Sequence, residues 1–187
     1  MAFKLMSQIV NGVKGGVTSA LKGSADIGSS AVNAVKDVTV TTLKGAGDLI
    51  ETGINVPASI INGALKGVSD LGVTVVKSVK GVANGTIQGA MQSGIEQNEA
   101  LKGTVAQAVF SAKELGLNVA DVAVEAVKGS VDAVKQVGGD TVGATKNSIV
   151  AAIDAAKEIG DETLNSVNTA LKNSVDGAKG ILDEIKK

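Results

Sequence analysis

A hydrophobic residue returns at every eleventh position of this 187-residue chain, and that spacing limits what the chain can fold into. From Val10 the series runs through Leu21, Val32, Leu43, Ile54, Leu65, Val76 and Ile87. After Asn98 it resumes with Val109, Ala120, Val131, Val142, Ile153, Leu164 and Val175. Lysine keeps a phase of its own at Lys14, Lys36, Lys80, Lys102, Lys113, Lys135, Lys146, Lys157 and Lys179. No insertion or deletion disturbs either series, so residues 1–187 read as a single array of seventeen 11-residue units. Eleven residues fill three helical turns at about 3.67 per turn, which holds one face nearly straight along an α-helix. The expected fold is all-α: long amphipathic helices, packed side by side or lying on a surface.

On a helical wheel the apolar and small positions cover roughly 165° at about 98° per residue, a wider face than a two-stranded coiled-coil seam needs. The large aliphatic series forms one edge and is expected to face lipid or a partner. The lysines flank it, where their stems can lie along apolar surface with the ammonium in water. The other edge is small, with Gly12, Gly23, Gly45, Gly67, Gly89, Ala133, Ala144 and Ala155 among its members. Gly81, Gly85 and Gly89 extend this ridge at four-residue spacing. Small residues let helix backbones approach closely, so this edge is expected to pack against another helix.

A longer period lies over the first. An acid, an aliphatic residue and a glycine recur every 44 residues at Asp26-Ile27-Gly28, Asp70-Leu71-Gly72, Glu114-Leu115-Gly116 and Glu158-Ile159-Gly160. In the second half, adjacent apolar positions trade size every eleven residues. Leu115-Gly116, Ala126-Val127, Val137-Gly138, Ser148-Ile149, Ile159-Gly160 and Ala170-Leu171 alternate large-small with small-large. Interdigitating helices need such volume matching, although duplication of a 22- or 44-residue unit would leave the same trace.

Two places interrupt the pattern. Pro57, the single proline, removes a backbone donor and predicts a kink or a fresh helix start between Asn55 and Ala58. Glu96-Gln97-Asn98-Glu99 is the most polar stretch and falls near the midpoint, dividing the chain into candidate arms 1–95 and 100–187. Asn98 there is either part of a turn or a buried residue fixing register. Bends are therefore expected near Pro57 and near Asn98. The β-branched runs Val38-Thr39-Val40-Thr41 and Val73-Thr74-Val75-Val76 suit strands, but both keep the eleven-residue phase and are read as helix.

Composition excludes most chemistry. There is no His and no Cys, so the usual acid–base group, the thiol nucleophile and the thiolate metal site are all absent. No catalytic residue, metal or cofactor is expected, and the chain is read as non-enzymatic. Gly45-Ala46-Gly47 opens like a dinucleotide loop, but Ile50 stands where its third glycine belongs. Residues 1–94 carry 8 Lys against 5 acids and residues 95–187 carry 10 against 14. Neither half has the dense basic patch or aromatic platform of a nucleic-acid binder. With no signal peptide and no transmembrane run, the expected place is intracellular and peripheral to membrane or lipid.

Short Lys-Gly units repeat within this frame: Ala20-Leu21-Lys22-Gly23, Ala64-Leu65-Lys66-Gly67, Ser78-Val79-Lys80-Gly81-Val82 and Ala126-Val127-Lys128-Gly129. With the eleven-residue spacing they resemble the amphipathic repeat proteins that include the synucleins and perilipins. That resemblance implies reversible binding to membranes or lipid droplets through a long helix in the surface. The chain departs from the synuclein pattern by carrying its repeat through residue 187 without an acidic tail.

These features lead to a structural protein whose laterally packed helices coat or remodel a lipid surface, with itself and the lipid as partners. Two alternatives stand beside it. One is a lipid-independent bundle, barrel or filament of close-packed helices. The other is a stress-protective or ice-binding protein.

Overall fold

The computed structural model describes residues 2–24, 27–45, 55–72 and 74–185. They form nine α-helices: α1 (Ala2–Leu21), α2 (Ile27–Gly45), α3 (Val56–Asp70), α4 (Val75–Gln92), α5 (Gln97–Glu114), α6 (Val119–Gln136), α7 (Thr141–Ile159), α8 (Asp161–Ser174) and α9 (Ala178–Ile185). The expected long helices are thus replaced by helices of 8 to 20 residues. No strand occurs among the described residues, and both β-branched runs lie in α2 or at the start of α4, apart from Val73, which is outside them.

Glycine ends the helices. Gly72, Gly94, Gly116, Gly138 and Gly160 all have positive φ, and each stands 22 residues after the one before. After α5, Gly116 N–H donates to Lys113 O (3.2 Å) and Leu117 N–H donates to Ala112 O (2.8 Å). This is a Schellman motif, in which a left-handed residue lets the chain turn back and satisfy the last carbonyls. The next helix starts on a side-chain cap. Asn118 Oδ1 accepts from Ala120 and Asp121 N–H, and Asp140 Oδ1 accepts from Val142 and Gly143 N–H. A helix of about 18 residues plus a four-residue turn makes one 22-residue unit, or two elevens.

Neither predicted bend is a bend within a helix. Pro57 sits in the first turn of α3, where its missing donor costs nothing, and Asn55 caps that helix by accepting from Ala58 N–H (3.1 Å). Asn98 is exposed in the first turn of α5, after the turn at Ser93–Glu96, and accepts a hydrogen bond from Asn147 Nδ2 of α7.

Each helix packs on its sequence neighbours and on the helix two places further along. The odd-numbered helices α1, α3, α5, α7 and α9 therefore stack as one layer, and α2, α4, α6 and α8 stack as the other. This is the architecture of an array of αα-hairpins, in which each unit buries its apolar face on the units beside it. The core between the layers is aliphatic, with Val17, Val35, Ile60, Leu65, Val79, Ile87, Leu101, Val127 and Ile149 fully buried. Two helices per turn of the array also explain the 44-residue period. The acid-aliphatic-glycine triplet closes α3, α5 and α7, whereas α4 and α6 end in Ser93-Gly94 and Val137-Gly138. The first triplet departs from this: Ile27 and Gly28 begin α2, and Gly23 takes the positive φ after α1.

Candidate assembly surface

The seam between stacked helices is built from glycine against carbonyl. A Cβ at Gly67 of α3 would lie 2.8 Å from Lys14 O of α1, and one at Gly63 would lie 2.5 Å from Val10 O. One unit later, α4 repeats the contact on α2. There a Cβ at Gly89 would lie 2.5 Å from Thr39 Cβ and 2.9 Å from Lys36 O, and Gly85 closes on Val32 O. On α6, Gly129 closes on Lys80 O of α4. No side chain fits at these points without moving a backbone. The same places on α5 hold Gln107 and Ser111, and Ser111 Oγ donates to Asn62 Oδ1 of α3 (3.4 Å).

Of the predicted small edge, Gly67, Gly89, Ala133, Ala144 and Ala155 are buried in the stack. Gly12, Gly23 and Gly45 are exposed, and a Cβ added at any of them would meet nothing within 4 Å among the described residues. Gly63 and Gly129 belong to the same seam one turn earlier, and their four-residue spacing from Gly67 and Ala133 is the signal that marks them.

The large aliphatic series separates by its place along the helix. Leu21, Leu43, Leu65, Ile87, Val109 and Ile153 are buried inside the stack. Val10, Val32, Val76, Val131, Leu164 and Val175 are half-buried, and Val142 is 80% exposed. Ile54 lies outside the described residues, as do Asp26, Ala46, Gly47 and Ile50.

Among the lysines, Lys14, Lys36 and Lys80 are half-buried, whereas Lys102, Lys113, Lys135, Lys146, Lys157 and Lys179 are exposed. Three of them tie stacked helices together: Lys14 to Asp70 (2.7 Å), Lys80 to Asp132 (2.7 Å) and Lys146 to Glu184 (3.4 Å). Lys66 does the same with Glu114 (3.5 Å). Exposed pairs of this sort contribute about 0–1 kcal/mol each and serve chiefly to set register. Asp70 and Glu114 are acids of the 44-residue triplet, so the turns after α3 and α5 each carry the partner for a lysine of the helix below. Gln97 adds a two-way contact, donating to Asp140 O (3.0 Å) and accepting from Asp140 N–H (3.1 Å).

At the first end of the stack the seam lies open among the described residues. A cleft of about 590 Å³ runs between α1 and α2, lined by Gln8, Ile9, Gly12, Val13 and Gly16 on one side and by Asp37, Val38, Thr41, Thr42 and Gly45 on the other.

No His or Cys exists in the sequence, and no group of three acids that could hold a metal occurs among the described residues. No described helix is long and apolar enough to cross a membrane.

The fold has a counterpart among solved structures. The crystal structure of a de novo designed helical repeat protein, DHR7, is similar to this chain with a TM-score of 0.56 and 24% identity, over 92% of this chain and 96% of that one. At that identity the likeness concerns the fold alone, and it agrees with the two-layer helical array. No family model matches the chain, and no curated protein does.

Proposed function

We propose that this protein is a lipid-independent helical-repeat scaffold, a structural array that completes its own core and assembles through its surfaces. The observation that carries this reading is the fate of the eleven-residue apolar series. Leu21, Leu43, Leu65, Ile87, Val109 and Ile153 are buried inside the stack, so among the described residues the series leaves no continuous stripe for a lipid surface. Burying them stabilises the fold by about 1.5–3 kcal/mol per large aliphatic side chain. A lipid surface would have to match that gain before the layers opened.

The lipid-coat reading needs that opening. The layers would separate, and the buried faces would turn onto a membrane or droplet as in-plane amphipathic helices. Far-UV circular dichroism with and without anionic vesicles distinguishes the two. The scaffold should be fully helical in dilute buffer and unchanged by vesicles, and it should not float with them. Helicity that develops only on adding vesicles would overturn the scaffold and restore the coat.

A further inference from the structure

We propose that copies of this chain stack head to tail, the α1–α2 cleft of one copy receiving the α7–α9 end of the next. The inference rests on the scaffold reading and extends the seam already present inside each chain. Val38, Thr41, Thr42 and Gly45 of α2 stand 44 residues before Val82, Gly85, Thr86 and Gly89 of α4. On α4 those four are buried, and Gly85 and Gly89 stack on α2. On α2 the same places line the open cleft, with Thr41 and Gly45 exposed. α2 thus carries the receiving face of an internal helix, and among the described residues no helix is stacked on that face. Thr41 is larger than Gly85, but α5 has Gln107 in the equivalent place and still stacks on α3.

The other end offers the complementary face. Val142 of α7 and Leu164 of α8 hold the places that Val10 and Val32 hold in α1 and α2. Inside the chain, Gly63 closes over Val10 and Gly85 over Val32. At the far end α9 spans 8 residues against 19 for α7, so it covers part of that layer and leaves Val142 80% exposed. Charge selects head to tail over head to head. Residues 1–45 hold five Lys and two acids, and residues 158–187 hold six acids and four Lys. Joining unlike ends brings opposite charge together, and joining like ends does not. The occupant is therefore a second copy, seated so that Thr41 lies near Asn168, as Gly85 lies near Lys36 within one chain.

The absence of cysteine makes the test direct. Thr41→Cys and Asn168→Cys are prepared as separate variants and together, then treated with a short thiol-to-thiol linker. The proposal expects a mixed dimer when the two single variants are combined, no dimer from either alone, and a ladder of higher species from the double variant. Sedimentation of the unaltered protein should show mass rising with concentration. Thr41→Trp, which fills the cleft from an exposed position, should weaken that association roughly ten- to a hundredfold, as overpacking of a contact does. A linked dimer of Thr41→Cys alone would mean head-to-head pairing and overturn the proposal. So would a monomer at every concentration, or assembly unaffected by Thr41→Trp. If these failures occur while helicity stays independent of vesicles, the scaffold survives and only the stacking is lost. Helicity that depends on vesicles removes both.

Discussion

Glycine serves opposed purposes at different residues of this chain. Gly129 is a contact residue: a Cβ there runs into Lys80 O, so α6 sits as close to α4 as two backbones allow. Gly15 has the same chemistry in α1 with nothing among the described residues within 4 Å. The two should therefore respond to alanine with opposite sign. Gly129→Ala has to push α6 off α4 and should destabilise by about 1–3 kcal/mol. Gly15→Ala removes freedom from the unfolded chain at no steric cost and should stabilise by about 0.4–1 kcal/mol. Urea unfolding of the two variants against the parent checks this, and equal shifts in one direction would count against the glycine-on-carbonyl seam. Confinement of small residues to one side of the wheel raises the expectation of close helix packing, and Gly67 and Gly89 lie against the backbone of a neighbouring helix. Their partners, the carbonyls of Lys14 and Lys36, could not be read, because contact with a backbone oxygen leaves no mark on the identity of the residue that owns it.

At the scale of the element, the helical character of the chain was legible and the ends of the helices were not. Eleven-residue phase runs unbroken through the turns, because a helix and its turn together measure two elevens. A long helix and a row of short ones therefore share one hydrophobic pattern. The alternation of Leu115-Gly116 with Ala126-Val127 and Val137-Gly138 suggested matched volumes in a packed face. Gly116 and Gly138 are instead left-handed helix caps, at φ +67° and +75°, while Ala126 and Val127 are core residues in mid-helix. The caps were present in the sequence as Gly116 followed by Asn118 and Gly138 followed by Asp140, a stop and then a start. Their energetic weight can be measured at one joint. Gly116→Ala forces a side chain into the left-handed region and should cost about 1–2 kcal/mol. Asn118→Ala strips the acceptor from Ala120 and Asp121 N–H and should cost about 1 kcal/mol. Hydrogen exchange at those two amides should quicken in Asn118→Ala while amides in the middle of α6 change less. Uniform quickening along α6 would mean that the cap does not act locally.

For the whole molecule, the 44-residue period states how the array can be edited. Stacked repeats interact with their neighbours, so stability is close to a sum of unit and interface contributions. Removing residues 75–118 takes out α4, α5 and their turns and joins Thr74 to Val119, which holds the place of Val75 in the repeat. α6 then follows α3 as α4 did, and every remaining helix keeps its layer. Removing residues 75–96 also preserves the eleven-residue phase, but it moves α5 and each later helix into the opposite layer. The acid triplets after α5 and α7 would then close even-layer helices. Glu114 would leave the layer that holds Lys66, and Lys80 would be lost from beneath Asp132. If the eleven-residue pattern alone specified the structure, as it would for helices lying on a lipid surface, both deletions would be tolerated alike. If the αα-hairpin is the unit, the 44-residue deletion should stay helical, soluble and cooperative with a modest fall in melting temperature. The 22-residue deletion, though it removes half as many residues, should melt at a lower temperature or fail to give a cooperative transition. Thermal unfolding by circular dichroism of the two shortened chains decides between them, and a 22-residue deletion as stable as the 44-residue one would return the array to a uniform eleven-residue repeat with no distinction between its layers.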